Sequence, residues 1–168
     1  MTKIKVYLDS CILISFFSKL EKEKDQREMA HKLVKRIGEL SAVDICISPW
    51  VISEMINILL NNHKMGNKEV LEIESELINK ERLGTLKIKI LKVGDESQKN
   101  YSLEDFFYDV RKTNLKYHPG IADAMHIVIM KNNNVNYVVT FNEKDFEEVE
   151  GLKVASIESI LSDKQESE

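Results

Sequence analysis

The sequence predicts an α/β fold, a parallel sheet with helices packed on both faces. Three observations point there. Short apolar runs of strand length (IKVYL, AVDICIS, KIKILKV and YVVT) alternate with longer segments whose apolar residues recur at helical spacing. No hairpin signal joins successive runs, so the crossovers are expected to be helical and the strands parallel. Six glycines and two prolines in 168 residues are too few for a loop-rich β-sandwich.

The elements follow in order. Residues 4–8 read as the first strand, and Asp9 and Ser10 offer side-chain acceptors to the free amides of a helix starting near Cys11. Met29, Leu33, Val34, Ile37 and Leu40 give a helix over 25–40 its apolar stripe. Residues 42–48 read as a second buried strand, and Pro49 opens a helix over 50–63 at the position its missing N–H favours. Val70, Leu71, Ile73, Leu77 and Ile78 line a helix over 67–82, and the alternation of residues 87–93 reads as a strand. Ser102 with Asp105 resembles a capping box for a helix ending near Lys112. After the breaker His118-Pro119-Gly120, a strongly apolar helix occupies 121–131 and stops at Asn132-Asn133-Asn134. Residues 137–140 are a further buried strand, and 153–155 a short last one. With no internal repeat and no linker, one domain over 1–156 is expected, followed by a short helix or frayed tail over 157–168.

Composition narrows the class. Hydrophobic residues at 43% and charged residues at 31% suit a chain that buries a core, not a disordered polyelectrolyte. Cys11 and Cys46 lie in apolar stretches, and two cysteines make neither a disulfide framework nor a zinc site. A reducing, cytoplasmic setting is expected. Lys3 and Lys5 could pass for the start of a signal peptide, but Asp9 interrupts the apolar run and no small-residue cleavage site follows. No stretch approaches the ~18 apolar residues of a membrane span, so no membrane partner is expected. The net charge is −4, yet residues 143–168 hold nine acids and three bases, leaving 19 acids and 21 bases in residues 1–142. The acidic balance thus comes from the C-terminal end. Residues 80–92 hold Lys80, Arg82, Lys87, Lys89 and Lys92 against Glu81 alone, a cluster of the kind that most often forms a solvated face.

Chemistry concentrates in carboxylates. In an open parallel sheet the crevice lies beyond the carboxyl ends of the strands. Asp9 stands there after the first strand, where it can also cap a helix. Glu54 lies one turn into the helix after the second strand, amid Trp50, Val51, Ile52, Met55 and Ile56. Asp123 sits in GIADAMHIVIM, and an unpaired carboxylate buried in such surroundings costs several kcal/mol unless paired, neutralised or bound to a metal. As a first-turn acid it could also answer the helix dipole. His126, one turn on, reads as a packed or hydrogen-bonded histidine and not as a ligand. Thr140 and Asn142 follow the strand YVV, and Asp145 could face the same crevice or cap the next helix. Carboxylates gathered from three segments would repel one another, and a divalent cation would remove the conflict. All-oxygen ligation favours Mg²⁺ or Mn²⁺ over zinc, and such an ion suits phosphodiester hydrolysis.

Here the sequence resembles the PIN-domain ribonucleases, especially the toxin halves of VapBC-type toxin–antitoxin pairs. The resemblance rests on YLDSCIL, ISPWVISEMINIL, GIADAMHIVIM and YVVTFNEKDF followed by GLKV, in the family's order over about residues 4–155. It implies a three-layer α/β/α fold with a five-stranded parallel sheet and an Mg²⁺- or Mn²⁺-dependent endoribonuclease cutting single-stranded RNA to a 3′-hydroxyl and a 5′-phosphate. By the same resemblance Asp9, Glu54 and Asp123 are the metal-holding catalytic acids, supported by Ser10, Thr140, Asn142 and Asp145. A homodimer and an antitoxin partner are implied as well. Many relatives have an aspartate where this chain has Asn142 and some share the asparagine, so Asp145 could supply the fourth carboxylate through water.

Rival readings fare less well. A dehalogenase-type phosphatase needs a second aspartate where Cys11 stands, and dinucleotide binding needs a glycine-rich turn that does not follow the first strand. A receiver-type phosphoacceptor wants paired acids after the first strand and an acceptor aspartate after a middle one, and neither is visible. The remaining alternative is a PIN-like module that binds RNA or protein without cleaving. Retention of all three acids speaks against it.

Overall fold

The computed structural model describes residues 3–94 and 101–162. Strand β1 (Ile4–Leu8) becomes steadily more buried along its length, ending in the buried Val6, Tyr7 and Leu8. Asp9 caps the short helix α1 (Ser10–Phe17), and a 3₁₀ turn at Glu21–Glu23 leads into α2 (Lys24–Glu39). The α2 stripe buries Ala30, Leu33, Val34 and Ile37, while Met29 and Leu40, expected on it, lie at its exposed edges. Strand β2 (Val43–Ile47) follows. Ser48 then accepts the Val51 N–H at 3.2 Å and starts α3 (Pro49–Asn61) with proline in the first turn. Helix α4 (Asn67–Asn79) buries Val70 and Leu77 and leaves Leu71 and Ile78 outside.

The next segment departs from the sequence expectation in two ways. A hairpin is present: β3 (Arg82–Leu83) pairs antiparallel with β4 (Leu86–Lys87) around Gly84, whose φ of +62° suits glycine. The alternating run 87–93 is therefore not one strand. Lys87 turns back to Arg82, and Lys89–Ile90 alone forms β5 in the main sheet. Alternation records which side chains face a core, and not which neighbour the backbone pairs with. The basic cluster here is partly neutralised, because Lys89 and Lys3 both pair with Asp44, at 2.5 and 3.4 Å.

Helix α5 (Leu103–Tyr117) starts with the expected capping box. The Asp105 N–H donates to Ser102 Oγ at 3.1 Å, and the Ser102 N–H donates to Asp105 Oδ2 at 2.8 Å. The helix runs past Lys112 and stops where His118 turns left-handed, just before Pro119. Helix α6 (Ile121–Asn132) buries seven consecutive residues, Ala124 to Met130, all apolar except His126, as a helix hydrophobic nearly all round does. Strand β6 (Tyr137–Val139), helix α7 (Lys144–Glu147), strand β7 (Lys153–Val154) and helix α8 (Ile157–Ser162) complete the described chain. The expected fraying of the last residues falls on 163–168, outside the described residues. No helix among the described residues is long and apolar enough to cross a membrane.

The main sheet is five-stranded and parallel in the order β5-β2-β1-β6-β7. Helices flank it in a three-layer arrangement, with α1 packed on α2 and α3, and α5 on α6. From β1 the chain builds outward on one side through β2 and β5, then on the other through β6 and β7. The direction reverses between β1 and β6, and a crevice opens beyond carboxyl ends at such a switch point. Asp9 and Thr140 are the residues that stand there.

Phe146 in α7 is fully buried and anchors the segment that follows β6. Phe146→Ala is expected to destabilise the fold by about 3–5 kcal/mol, the usual cost of emptying an aromatic site. Urea unfolding checks this, and a loss under about 1 kcal/mol would show that α7 is not part of the cooperative core.

Candidate active site

Asp9 is buried, 4% exposed, and each of its oxygens is held. The Ser10 N–H donates to Oδ1 at 2.6 Å, as a helix cap requires. The Thr140 hydroxyl donates to Oδ2 at 2.7 Å, and the Cys11 thiol to the same oxygen at 3.1 Å. The Asp9 N–H reaches Val139 O at 3.1 Å, so the ends of β1 and β6 are joined by main chain and side chain alike. The cap reading of Asp9 holds: it starts α1 directly at the carboxyl end of β1. Thr140 in turn accepts the Asn142 N–H at 2.9 Å.

Glu54 comes from α3. The His126 Nε2 of α6 lies 2.8 Å from Glu54 Oε2 and 3.7 Å from Asp9 Oδ1, bridging two of the three acids. Burial works to raise the Glu54 carboxyl, but the His126 hydrogen bond, aided by Ser10, holds it below the usual glutamate range. The buried indole N–H of Trp50, one turn before Glu54, finds no acceptor among the described residues.

Asp123 occupies the first turn of α6, with no comparable hydrogen-bond partner among the described residues. Burial first, then repulsion from Asp145, Asp9 and, to a smaller extent, Glu54, push its carboxyl up to about 6. Asp145 is itself tied to the Asn142 side-chain amide, which donates to its Oδ2. The amide that replaces an acid after the threonine thus orients the acid three residues on.

Asp9, Glu54 and Asp145, from three other segments, each act electrostatically on Asp123, and the four carboxylates offer only oxygen donors. The neighbouring Cys11 thiol, which burial and then Asp9 push up to about 12, spends its hydrogen on Asp9 Oδ2. The residues therefore fit a hard divalent cation. Among the described residues no three acidic, histidine or cysteine side chains stand close enough together to hold an ion as they are.

Residues 6–152 match the PIN domain family. The chain belongs to the PIN domain family. Among solved structures this PIN domain is similar to PAE2754 from Pyrobaculum aerophilum, at 16% identity over 94% of this chain and 93% of that one, with a TM-score of 0.52. It is also similar to VapC20 of Mycobacterium tuberculosis, a sarcin-ricin loop cleaving toxin, at 11% identity over 79% of this chain and 86% of that one, with a TM-score of 0.47. At such identities the PAE2754 likeness speaks for the PIN fold alone. Among curated proteins, none matches the chain by sequence.

Three polar residues of this PIN domain escaped the reading of the sequence as site members: Tyr7, Ser48 and Cys11. The sequence predicts a packed or hydrogen-bonded His126, and the structure shows it buried and bonded to both Glu54 and Tyr7. Tyr7 carried a signal, since a phenol in a buried strand needs a hydrogen-bond partner. It donates to or accepts from Ser48 Oγ at 2.7 Å and His126 Nδ1 at 2.8 Å, and burial raises its pKa well above the ordinary value.

The sign of the Asp123 shift makes a testable statement about stability. A carboxyl raised from the ordinary 3.8 to about 6 binds its proton more tightly in the folded chain, so its favourable contribution is complete below the unfolded pKa and is lost as pH rises through about 6. In metal-free protein, Asp123→Asn should gain in Tm over wild type as pH is raised from about 5 to about 7.5, by scanning calorimetry. A pH-independent difference would contradict the repulsion assigned to this site.

Proposed function

We propose that the chain is a metal-dependent endoribonuclease that hydrolyses phosphodiester bonds of single-stranded RNA, of the toxin type within the PIN family. One observation carries the reading. Asp123, raised by burial and by Asp145, Asp9 and Glu54, sits in a PIN domain beside two acids that are already satisfied. Like-charge crowding of this kind is what a cation relieves, and perturbed carboxylates in a crevice mark functional sites.

In this reading Asp9, Glu54 and Asp123 would hold the ion through carboxylate oxygens. Bound there, Mg²⁺ or Mn²⁺ supplies charge neutralisation at the phosphoryl group and eases deprotonation of the attacking water. The chain's own residues do the positioning. Thr140 fixes the Oδ2 of Asp9, and Ser10 fixes its Oδ1 through the main chain. Asn142 steers Asp145, which would serve as the fourth carboxylate by ordering water at the edge of the site. The products would be a 3′-hydroxyl and a 5′-phosphate. A cytoplasmic location, a homodimer and an antitoxin that places a cationic segment in the acidic crevice belong to the same reading.

The test compares purified wild type and Asp123→Asn on a labelled single-stranded RNA pool with Mn²⁺, Mg²⁺ or chelator. Wild type should cleave, chelator should stop it, and Asp123→Asn should be slower by about 100-fold or more, since several kcal/mol of charge stabilisation is lost. Equal cleavage by both proteins, or cleavage that survives chelation, would refute the assignment.

A further inference from the structure

Behind Glu54 lies a chain of hydrogen bonds with a direction. The Val51 N–H of α3 donates to Ser48 Oγ at 3.2 Å, Ser48 Oγ lies 2.7 Å from Tyr7 Oη, Tyr7 Oη lies 2.8 Å from His126 Nδ1, and His126 Nε2 lies 2.8 Å from Glu54 Oε2. Tyr7 is fully buried and His126 is 1% exposed, so these groups have each other and no bulk water to satisfy them.

Counting donors orders the protons. An ionised carboxylate only accepts, so the ring must present a hydrogen on Nε2. A neutral imidazole then has a bare Nδ1, which takes the Tyr7 O–H. The Tyr7 oxygen takes the Ser48 O–H, and the Ser48 oxygen takes the Val51 N–H. Every donor meets an acceptor. In the opposite sense the Tyr7 O–H would turn to Ser48, whose own hydrogen has no further acceptor among the described residues. The ring is also held edge-on to Tyr7, with centroids 5.8 Å apart.

We infer that Tyr7 and His126 are positioning residues: the ordered chain from the α3 N-terminus through Ser48 and Tyr7 locks His126 as the Nε2–H tautomer and thereby pins Glu54 beside Asp9. Tyr7 touches no acid by hydrogen bond and acts only through His126. The inference rests on the nuclease reading only in taking Glu54 as a metal-holding carboxylate. Partners of this kind, one step behind a ligand, typically change metal affinity about 10- to 100-fold when removed.

Two readouts test it, neither of which needs RNA. In metal-free wild type, ¹⁵N–¹H correlation spectra of the imidazoles should show His126 as the pure Nε2–H tautomer, and Tyr7→Phe should lose that purity with an unchanged far-ultraviolet circular dichroism spectrum. Calorimetric titration with Mn²⁺ should show Tyr7→Phe weaker than wild type by about tenfold. His126→Gln, whose amide can place a donor where Nε2 stood, should retain more of that affinity than His126→Leu. An Nδ1–H tautomer in wild type, or Mn²⁺ affinity equal to wild type in Tyr7→Phe, overturns the inference. If wild type bound no Mn²⁺ or cut no RNA, the nuclease reading would fall, and the imidazole spectra would still decide the role of Tyr7.

Discussion

A carboxylate stands almost wholly out of water where β1 ends, and the surroundings of Asp9 are built to satisfy it. Leaving such a group unpaired costs several kcal/mol. The amide that begins α1, the hydroxyl that ends β6 and the thiol of Cys11 all donate to it. Those contacts exist because the strand order brings Val139 and Thr140 alongside Asp9. The same bonds that close the end of the sheet therefore set the centre of the candidate site. Stability and chemistry share one set of hydrogen bonds here.

The other acids meet their costs differently, and the differences matter. Glu54 is compensated by His126 and is held low, while Asp145 is tethered by an amide that brings no opposing charge. Asp123 has burial and repulsion and little to answer them, so the unrelieved negative charge collects at the first turn of α6. In the proposed nuclease reading, one acid left frustrated while its neighbours are fixed is the conflict that a cation would relieve. Folding tolerates the conflict because α6 is anchored elsewhere, by seven successive buried residues.

Much of this was legible in the chain itself. Long periodic segments announced α2, α3, α4 and α6, and the Ser102 and Pro49 signals marked helix starts to within a residue. Asp9, Glu54 and Asp123 stood out because charge in apolar surroundings is expensive wherever it falls. What stayed hidden was pairing. The β3–β4 hairpin took Lys87, the first residue of an alternating run, and the exposed Met29, Leu40 and Leu71 looked like core. Tyr7 and Ser48 looked like an ordinary strand residue and an ordinary cap. Their joint role appears only once residues 41 and 119 positions apart are in contact.

The sequence by itself determined the class of fold, the order of its elements and the acids available for chemistry. Periodicity and the cost of buried charge are local properties, readable from neighbours in the chain. Tertiary structure alone decided which strands pair, which hydroxyl holds Asp9, how Asn142 bears on Asp145 and where the imidazole of His126 points. Those outcomes depend on hydrogen bonds between distant segments, each satisfied in one packed arrangement, and no local pattern encodes that geometry.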